Sequence, residues 1–312
     1  MLGLPSIIRS AIAAGTVALI PLAAPAKDEA KTASTPRSVA APTAAAVPAS
    51  ATSTAHHVAK RHQVGRFQGF DLSRYPGDKA MEVWKDASPY HWTGYYLAAP
   101  CHHDASWMGK RAALEKMGWG MAVVYVGQQD WPRTFHGGRN GAKVKRRVGL
   151  QCATGLANAA EGTTDADHAI ALTDREGFPR GTTIYLDVER FHSLSPNMEG
   201  YVRAWVDRVL ADGRFQPALY GHASNARSLY RVGQAAYAAR GMDGRPAFWL
   251  STAAGFSRSA HPTQVGYAFA DVWQGKYESP ETWGGTTLRV DASVSTTDSP
   301  STAAETLAVA DR

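Results

Sequence analysis

Residues 181–191 read "GTTIYLDVERF": Ile184, Tyr185 and Leu186 run directly into Asp187, Val188 and Glu189. In an extended strand, residues two apart share a face, so Asp187 and Glu189 project together while Val188 points the other way. Strand rise alone sets their Cα atoms ~6–7 Å apart. A carboxyl pair at such a distance suits acid/base work on a glycosidic bond, where the groups stand ~5–5.5 Å apart for retention and farther apart for inversion. Close carboxylates also drive their pKa values apart, so that one holds a proton while the other is charged. The competing reading of the tripeptide is a solvated strand end, with Asp187 in a turn and Glu189 paired to Arg190.

Two further acids sit in similar settings. "GFDLS" supplies Asp71 and "RVDAS" supplies Asp291. In a closed barrel the first and last strands are neighbours, so these aspartates would lie side by side and face Asp187 and Glu189 across the mouth. Alternatively, Asp71 caps the next helix and Asp291 pairs with a nearby arginine. Tyr96, Tyr125, Tyr220, Trp249 and Trp273 lie at or near strand ends. Their electron-rich faces suit the C–H faces of sugar rings, although packing is the simpler use of any one of them. Gln274 both donates and accepts, which suits a sugar hydroxyl or N-acetyl group. The catalytic candidates are therefore Glu189, Asp187 and Asp71. The ligand-binding candidates are Asp291, Tyr96, Tyr220, Trp249, Trp273 and Gln274.

The elements that must position these residues alternate. Strand-like runs lie at 66–73, 92–98, 120–127, 182–189, 216–222, 246–251, 269–274 and 287–293. Helical stretches lie near 78–87, 106–117, 164–176, 197–212 and 223–240, with short, poorly marked ones near 256–264 and 278–283. Eight strands alternating with helices fit a (β/α)8 TIM barrel or a doubly wound sheet. Polar residues at the C-terminal strand ends, Asp71, Asp187, His222, Ser251, Gln274 and Asp291, favour the barrel, whose sites are built at that end. No Gly-rich dinucleotide fingerprint or phosphate loop follows a strand, and no G-x-S-x-G elbow is present. The Gly-rich segment 127–163 reads as a lid or rim loop.

The domain plan follows from composition. Residues 1–26 carry one early cation, Arg9, then an apolar run from Ala11 to Ala24 and an Ala-Pro-Ala site, the pattern of a secretory signal peptide. Residues 27–64 are an Ala/Thr/Pro-rich linker expected to be disordered, 65–295 the barrel, and 296–312 a disordered tail. The formal charge is +6, but Arg9 and the linker, with five Lys or Arg against Asp28 and Glu29, leave only +2 for residues 65–312. That is no nucleic-acid footprint. No other run is long and apolar enough to span a membrane, so the expected location is secreted: extracellular, periplasmic or cell-wall associated. Export permits a disulfide between Cys101 and Cys152, the only two cysteines, but sequence does not show whether they meet. "CHHDASW" (101–107) lacks the second ligand pair of a zinc site, so no metal and no cofactor is expected. Nothing marks Cys101 as the nucleophile of a thiol hydrolase.

In their order along the chain, "GFDLS", "IYLDVE", "LYG", "FWLS", "VWQ" and "VDAS" resemble a glycoside-hydrolase-like TIM-barrel domain of secreted bacterial proteins, a domain of unknown function similar to the family 25 lysozymes. The resemblance covers roughly residues 65–295. Those lysozymes cleave the β-1,4 link of peptidoglycan between N-acetylmuramic acid and N-acetylglucosamine. The resemblance implies Glu189 as general acid, Asp187 stabilising the oxocarbenium or orienting the N-acetyl group, and Asp71 and Asp291 supporting. The expected partner is cell-wall polysaccharide or another glycan, met by a monomer. The long 127–163 insertion departs from the lysozymes and touches cleft shape. The alternative is a barrel that binds glycan without turning it over.

Overall fold

A computed structural model describes residues 64–130, 152, 154–189 and 193–302. The expected signal peptide, most of the linker, residues 131–151 of the expected lid and the last ten residues lie outside the described residues.

The fold is the expected single α/β barrel: eight strands close in chain order. They are β1 (Val64–Asp71), β2 (Tyr90–Tyr96), β3 (Gly120–Val126), β4 (Thr183–Asp187), β5 (Gln216–His222), β6 (Ala247–Ser251), β7 (Val272–Trp283) and β8 (Thr286–Thr297). Between them run α1 (Asp78–Ala87), α2 (Arg111–Met117), α3 (Ala159–Arg175), α4 (Pro196–Asp212) and α5 (Ala226–Ala239). Helix starts are marked chemically. The Asn158 side chain accepts from the Glu161 N–H and caps α3, and Ser195 accepts from the Met198 N–H ahead of α4, with Pro196 in its first turn. Helix α4 buries Met198, Tyr201, Val202, Trp205, Val206 and Val209, spaced to give one apolar stripe against the sheet. None of the described helices is long and apolar enough to cross a membrane.

The barrel interior is filled rather than hollow. Trp92, Tyr185 and Trp249 come from the alternate strands β2, β4 and β6 and meet edge to face, with Trp249 5.4 Å from Trp92 and 5.7 Å from Tyr185 between ring centroids. This is the layered packing a closed eight-stranded barrel imposes. Cys101 and Cys152 are joined in a disulfide that closes a loop of 51 residues. On the chain-entropy account such a loop contributes about 4 kcal/mol.

Two expectations are corrected. The first concerns the last strand. Strands β1 to β7 run parallel, but β8 is antiparallel to both β7 and β1. Residues 278–283 are not a helix. They extend β7 into a hairpin whose turn is Gly284-Gly285, with φ of 53° and 77°. Two central residues with positive φ make the turn type that matches strand twist, and only glycine adopts both without strain. The Gly-Gly pair between β-rich runs was the available signal. The hairpin tip lies on α1, where the Trp84 indole N–H donates to the Thr286 carbonyl at 3.0 Å.

The second correction concerns the tail expected from residue 296. Strand β8 continues to Thr297, and the next residues cap the bottom of the barrel. The Met121 N–H donates to Ser299 Oγ at 3.1 Å and the Val123 N–H to Ser301 Oγ at 2.7 Å. The Thr183 N–H donates to the Ser301 carbonyl at 2.7 Å. A polar Ser/Thr-rich stretch reads as solvated, but here it supplies hydrogen-bond partners to the starts of β3 and β4.

Candidate functional site at the barrel mouth

The inward positions of successive strands converge at the C-terminal end of the parallel strands. Asp71 ends β1, and the β1–β8 register places it directly opposite Asp291. Because β8 is antiparallel, Asp291 sits in mid-strand rather than at the C-terminal end read from sequence. Space for the Asp71 side chain comes from Gly94 on β2, since a Cβ built there would lie 2.7 Å from the Asp71 Cβ. Asp187 ends β4, Val188 turns outward and is fully buried, and Glu189 follows on the inner side. Asp71, Tyr96, Val124, Asp187, Glu189, Tyr220, Trp249, Gln274 and Asp291 together line one cavity of about 90 Å³. All the candidate residues read from sequence are among these except Trp273.

Trp273 neighbours Gln274 on β7, and strand alternation sends it outward. Its indole N–H donates to the Thr252 carbonyl at 2.8 Å and its ring meets Phe256 edge-on. Tyr125 likewise faces the helices, with its hydroxyl 3.1 Å from His168 Nδ1. Gln274 is in the cavity wall but holds protein rather than offering itself to a ligand. Its amide nitrogen donates to Asp71 Oδ2 at 3.0 Å and Asp291 Oδ2 at 3.3 Å, and its oxygen accepts from the Tyr220 hydroxyl at 2.7 Å. Trp249 is 1% exposed, so its ring forms the cavity base and presents no open face for stacking.

The electrostatics are those of crowded acids. None of the described lining residues is Lys or Arg. Burial first, then the neighbouring Asp291, raises the Asp71 carboxyl well above the usual range, against hydrogen bonds from the Tyr96 hydroxyl (2.8 Å) and Gln274. Burial, then Glu189 and Asp71, raises Asp187 well above that range too. Asp291 is pushed up to about 6, chiefly by burial, while the Glu278 N–H, 2.6 Å away, opposes the shift. With no cation in the lining to offset them, the buried aspartates Asp71, Asp187 and Asp291 keep protons to higher pH than ordinary carboxyls. Glu189 is the outermost of the D-x-E pair, with 41% of its side chain exposed. Two polar atoms in the wall, Asp187 Oδ1 and Trp249 Nε1, have no partner among the described residues.

Two residues that position Glu189, Gln129 and Asn225, escaped the sequence reading, and a third, His222, was read there only as a polar strand end. Gln129 follows β3, is 1% exposed, and grips the backbone on both sides of Val188. Its amide nitrogen donates to the Asp187 carbonyl at 2.8 Å and the Gly127 carbonyl at 3.2 Å, and its oxygen accepts the Glu189 N–H at 3.0 Å. Asn225 donates to the Glu189 carbonyl at 2.9 Å, and His222 Nε2 lies 3.3 Å from Glu189 Oε2. Gln128-Gln129 after an apolar strand is the same signal that drew attention to Asp187. No described group of His, Cys, Asp and Glu is arranged to hold a metal ion.

Among solved structures, the chain is similar to the modular autolysin LytC of Streptococcus pneumoniae, with 15% identity, a TM-score of 0.48 and coverage of 73% of this chain but 46% of that one. It is similar to the Tat-secreted protein Rv2525c of Mycobacterium tuberculosis, with 16% identity, a TM-score of 0.41 and coverage of 74% and 95%. It is similar also to GHIP, a glycosyl hydrolase 25 of Streptococcus pneumoniae, with 12% identity, a TM-score of 0.46 and coverage of 73% and 86%. No curated protein matches the sequence. A family model does match, over residues 82–295, a span that includes Asp187, Glu189, Gln274 and Asp291 and begins after Asp71. The chain therefore belongs to the Rv2525c-like, glycoside hydrolase-like domain family.

Proposed function

We propose that this barrel hydrolyses a glycosidic bond in cell-wall glycan, of the β-1,4 peptidoglycan type, with Glu189 as general acid. The observation that carries the reading is the gathering of Asp71, Asp187, Glu189 and Asp291 on one cavity without a lining cation. Burying like charges together costs stability, and such arrangements recur where a site must hold protons for chemistry. Glu189 stands at the mouth, where a glycosidic oxygen can approach it and take its proton. Gln129 and Asn225 fix its backbone, so the carboxyl is aimed before substrate arrives. Asp187 lies deeper on the same face, placed to stabilise positive charge at the sugar ring or to orient a ring substituent. Asp71 supports it through the electrostatic coupling of the deep acids.

The cavity's size and polarity fit this reading. At about 90 Å³ it is well below the ~300 Å³ of a small-molecule pocket. It takes a substituent while the sugar ring lies across the mouth. Asp187 Oδ1 has no hydrogen-bond partner among the described residues, and the N–H of an acetamido group offers it one. Tyr96 and Tyr220, both partly exposed, border the ring's position. Such a substrate lies outside the cell membrane, and the Cys101–Cys152 disulfide supports an oxidising compartment, in keeping with export directed by residues 1–26.

The test is turnover of peptidoglycan and of chitin oligosaccharides, with new reducing ends identified by mass spectrometry, for wild type and Glu189→Gln. Removing the acid should lower turnover by about 100-fold or more. Turnover equal in both proteins would remove Glu189 from the mechanism. Binding without turnover in wild type would make this a glycan-binding barrel that does no chemistry.

A further inference from the structure

Beyond Gln274, strand β7 leaves the mouth and runs down the barrel flank as the first arm of the hairpin. A second pocket, of about 420 Å³, opens there, lined by Gln68, Arg258, Lys276, Glu281 and Trp283 among others. Its volume lies within the ~300–1,000 Å³ of ligand sites.

Its charge is organised around Glu281, whose side chain is 9% exposed. That carboxylate accepts from Arg258 Nη2, from the Tyr90 hydroxyl at 2.9 Å and from the Trp283 indole N–H at 3.3 Å, with Lys276 Nζ 3.6 Å away. A carboxylate has about four acceptor positions, so Glu281 is filled from within the protein. The cations are not exhausted in the same way. Arg258 gives Nη1 to Gln68 Oε1 at 3.2 Å and to the Tyr90 oxygen at 2.7 Å, which leaves two of its five N–H groups unassigned among the described residues. Lys276 has three N–H groups, and half of its side chain is exposed. Two cations against one satisfied anion leave one net positive charge and several spare donors beside an indole.

We infer that this flank pocket binds a carboxylate carried on a saccharide, gripped by Lys276 and the spare N–H groups of Arg258, with the sugar ring against Trp283. The inference rests on the glycan reading of the mouth. Lys276 is two residues along β7 from Gln274, about 7 Å by strand rise, so one glycan chain lying across the mouth reaches the flank. The pocket would then select acidic wall glycan over neutral chitin-like chains without touching the reacting bond.

The test titrates two probes into the full-length Glu189→Gln protein, which should leave the glycan intact. One probe is a tetrasaccharide of alternating N-acetylglucosamine and N-acetylmuramic acid with free lactyl carboxylates. The other is the same tetrasaccharide with those carboxylates amidated. The free acid should bind about fivefold more tightly, as expected for a half-exposed ion pair. Lys276→Met, which keeps the aliphatic stem, and Lys276→Glu should each bring the acid down to the amide's affinity. Equal affinities for the two probes, or a preference that survives both substitutions, would overturn the inference. If the wild type cleaves both probes and no preference is seen, only the flank site falls. If neither probe binds, both readings fall together.

Discussion

Replacing Gln129 by methionine tests whether the D-x-E segment is held by its neighbour rather than by its own strand. Methionine keeps most of the volume and removes every hydrogen bond of the side chain. Three backbone groups then lose a partner: the Asp187 carbonyl at 2.8 Å, the Glu189 N–H at 3.0 Å and the Gly127 carbonyl at 3.2 Å. A lost hydrogen bond costs about 1 kcal/mol and a buried group left unpaired up to about 3 kcal/mol, so the total is about 2–4 kcal/mol. For a domain of this size that lowers Tm by about 5–12 °C. The effect on turnover is larger in proportion. A carboxyl displaced by about 1 Å loses roughly 100-fold in rate, and because Asn225 still holds the Glu189 carbonyl we expect a fall of about 10- to 100-fold. The fall should appear in kcat with little change in KM, and the Glu189 amide should exchange hydrogen faster while strands β1 and β2 keep their protection. A Gln129→Met protein with wild-type Tm and wild-type exchange at Glu189 would show that the clamp contributes nothing.

Two further predictions concern stability. Asp291, and Asp165 on α3, which accepts from the Tyr201 hydroxyl at 2.6 Å, are both raised to about 6 chiefly by burial, so they bind protons more tightly folded than unfolded, where a carboxylate titrates near ~3.9, and Asp71 and Asp187 are shifted the same way. Their stabilising contribution is full below the unfolded value and is lost as pH rises through the folded values, so stability should fall between pH 5 and pH 8, by on the order of 1 kcal/mol for Asp291 alone, and Tm should fall with it. Calorimetry across that range should show a shallower decline for Asp291→Asn, and a wild-type Tm that rises from pH 5 to pH 8 would contradict the assigned burial of these acids. Ending the chain after Thr297 removes the Ser299 and Ser301 contacts to β3 and β4, and at about 1 kcal/mol for each hydrogen bond should cost about 3–5 kcal/mol in denaturant unfolding. An unchanged unfolding midpoint would return residues 298–302 to the role of a loose tail.

The sequence by itself determined the alternation of strands and helices and the pairing of Asp187 with Glu189 on one face, though not which of the neighbours Trp273 and Gln274 points inward. These are local matters of period and of apolar runs ending in acids, and they survive folding because a strand cannot turn its alternation inside out. Asp71 and Asp291 could also be set side by side, since closure makes the first and last strands neighbours whatever their direction. Direction itself was decided by the Gly284-Gly285 turn, a two-residue feature easily overlooked beside a twelve-residue strand. The tertiary structure alone decided which polar side chains are taken up by bonds within the protein. Gln274 and Trp249 looked like sugar contacts, but the first bridges two aspartates and a tyrosine and the second is sealed beneath them. Gln129, distant in sequence from Glu189, meets it only because β3 and β4 are adjacent in the closed sheet. The protons held by the deep acids likewise depend on burial and mutual distance, which appear only when all eight strands close.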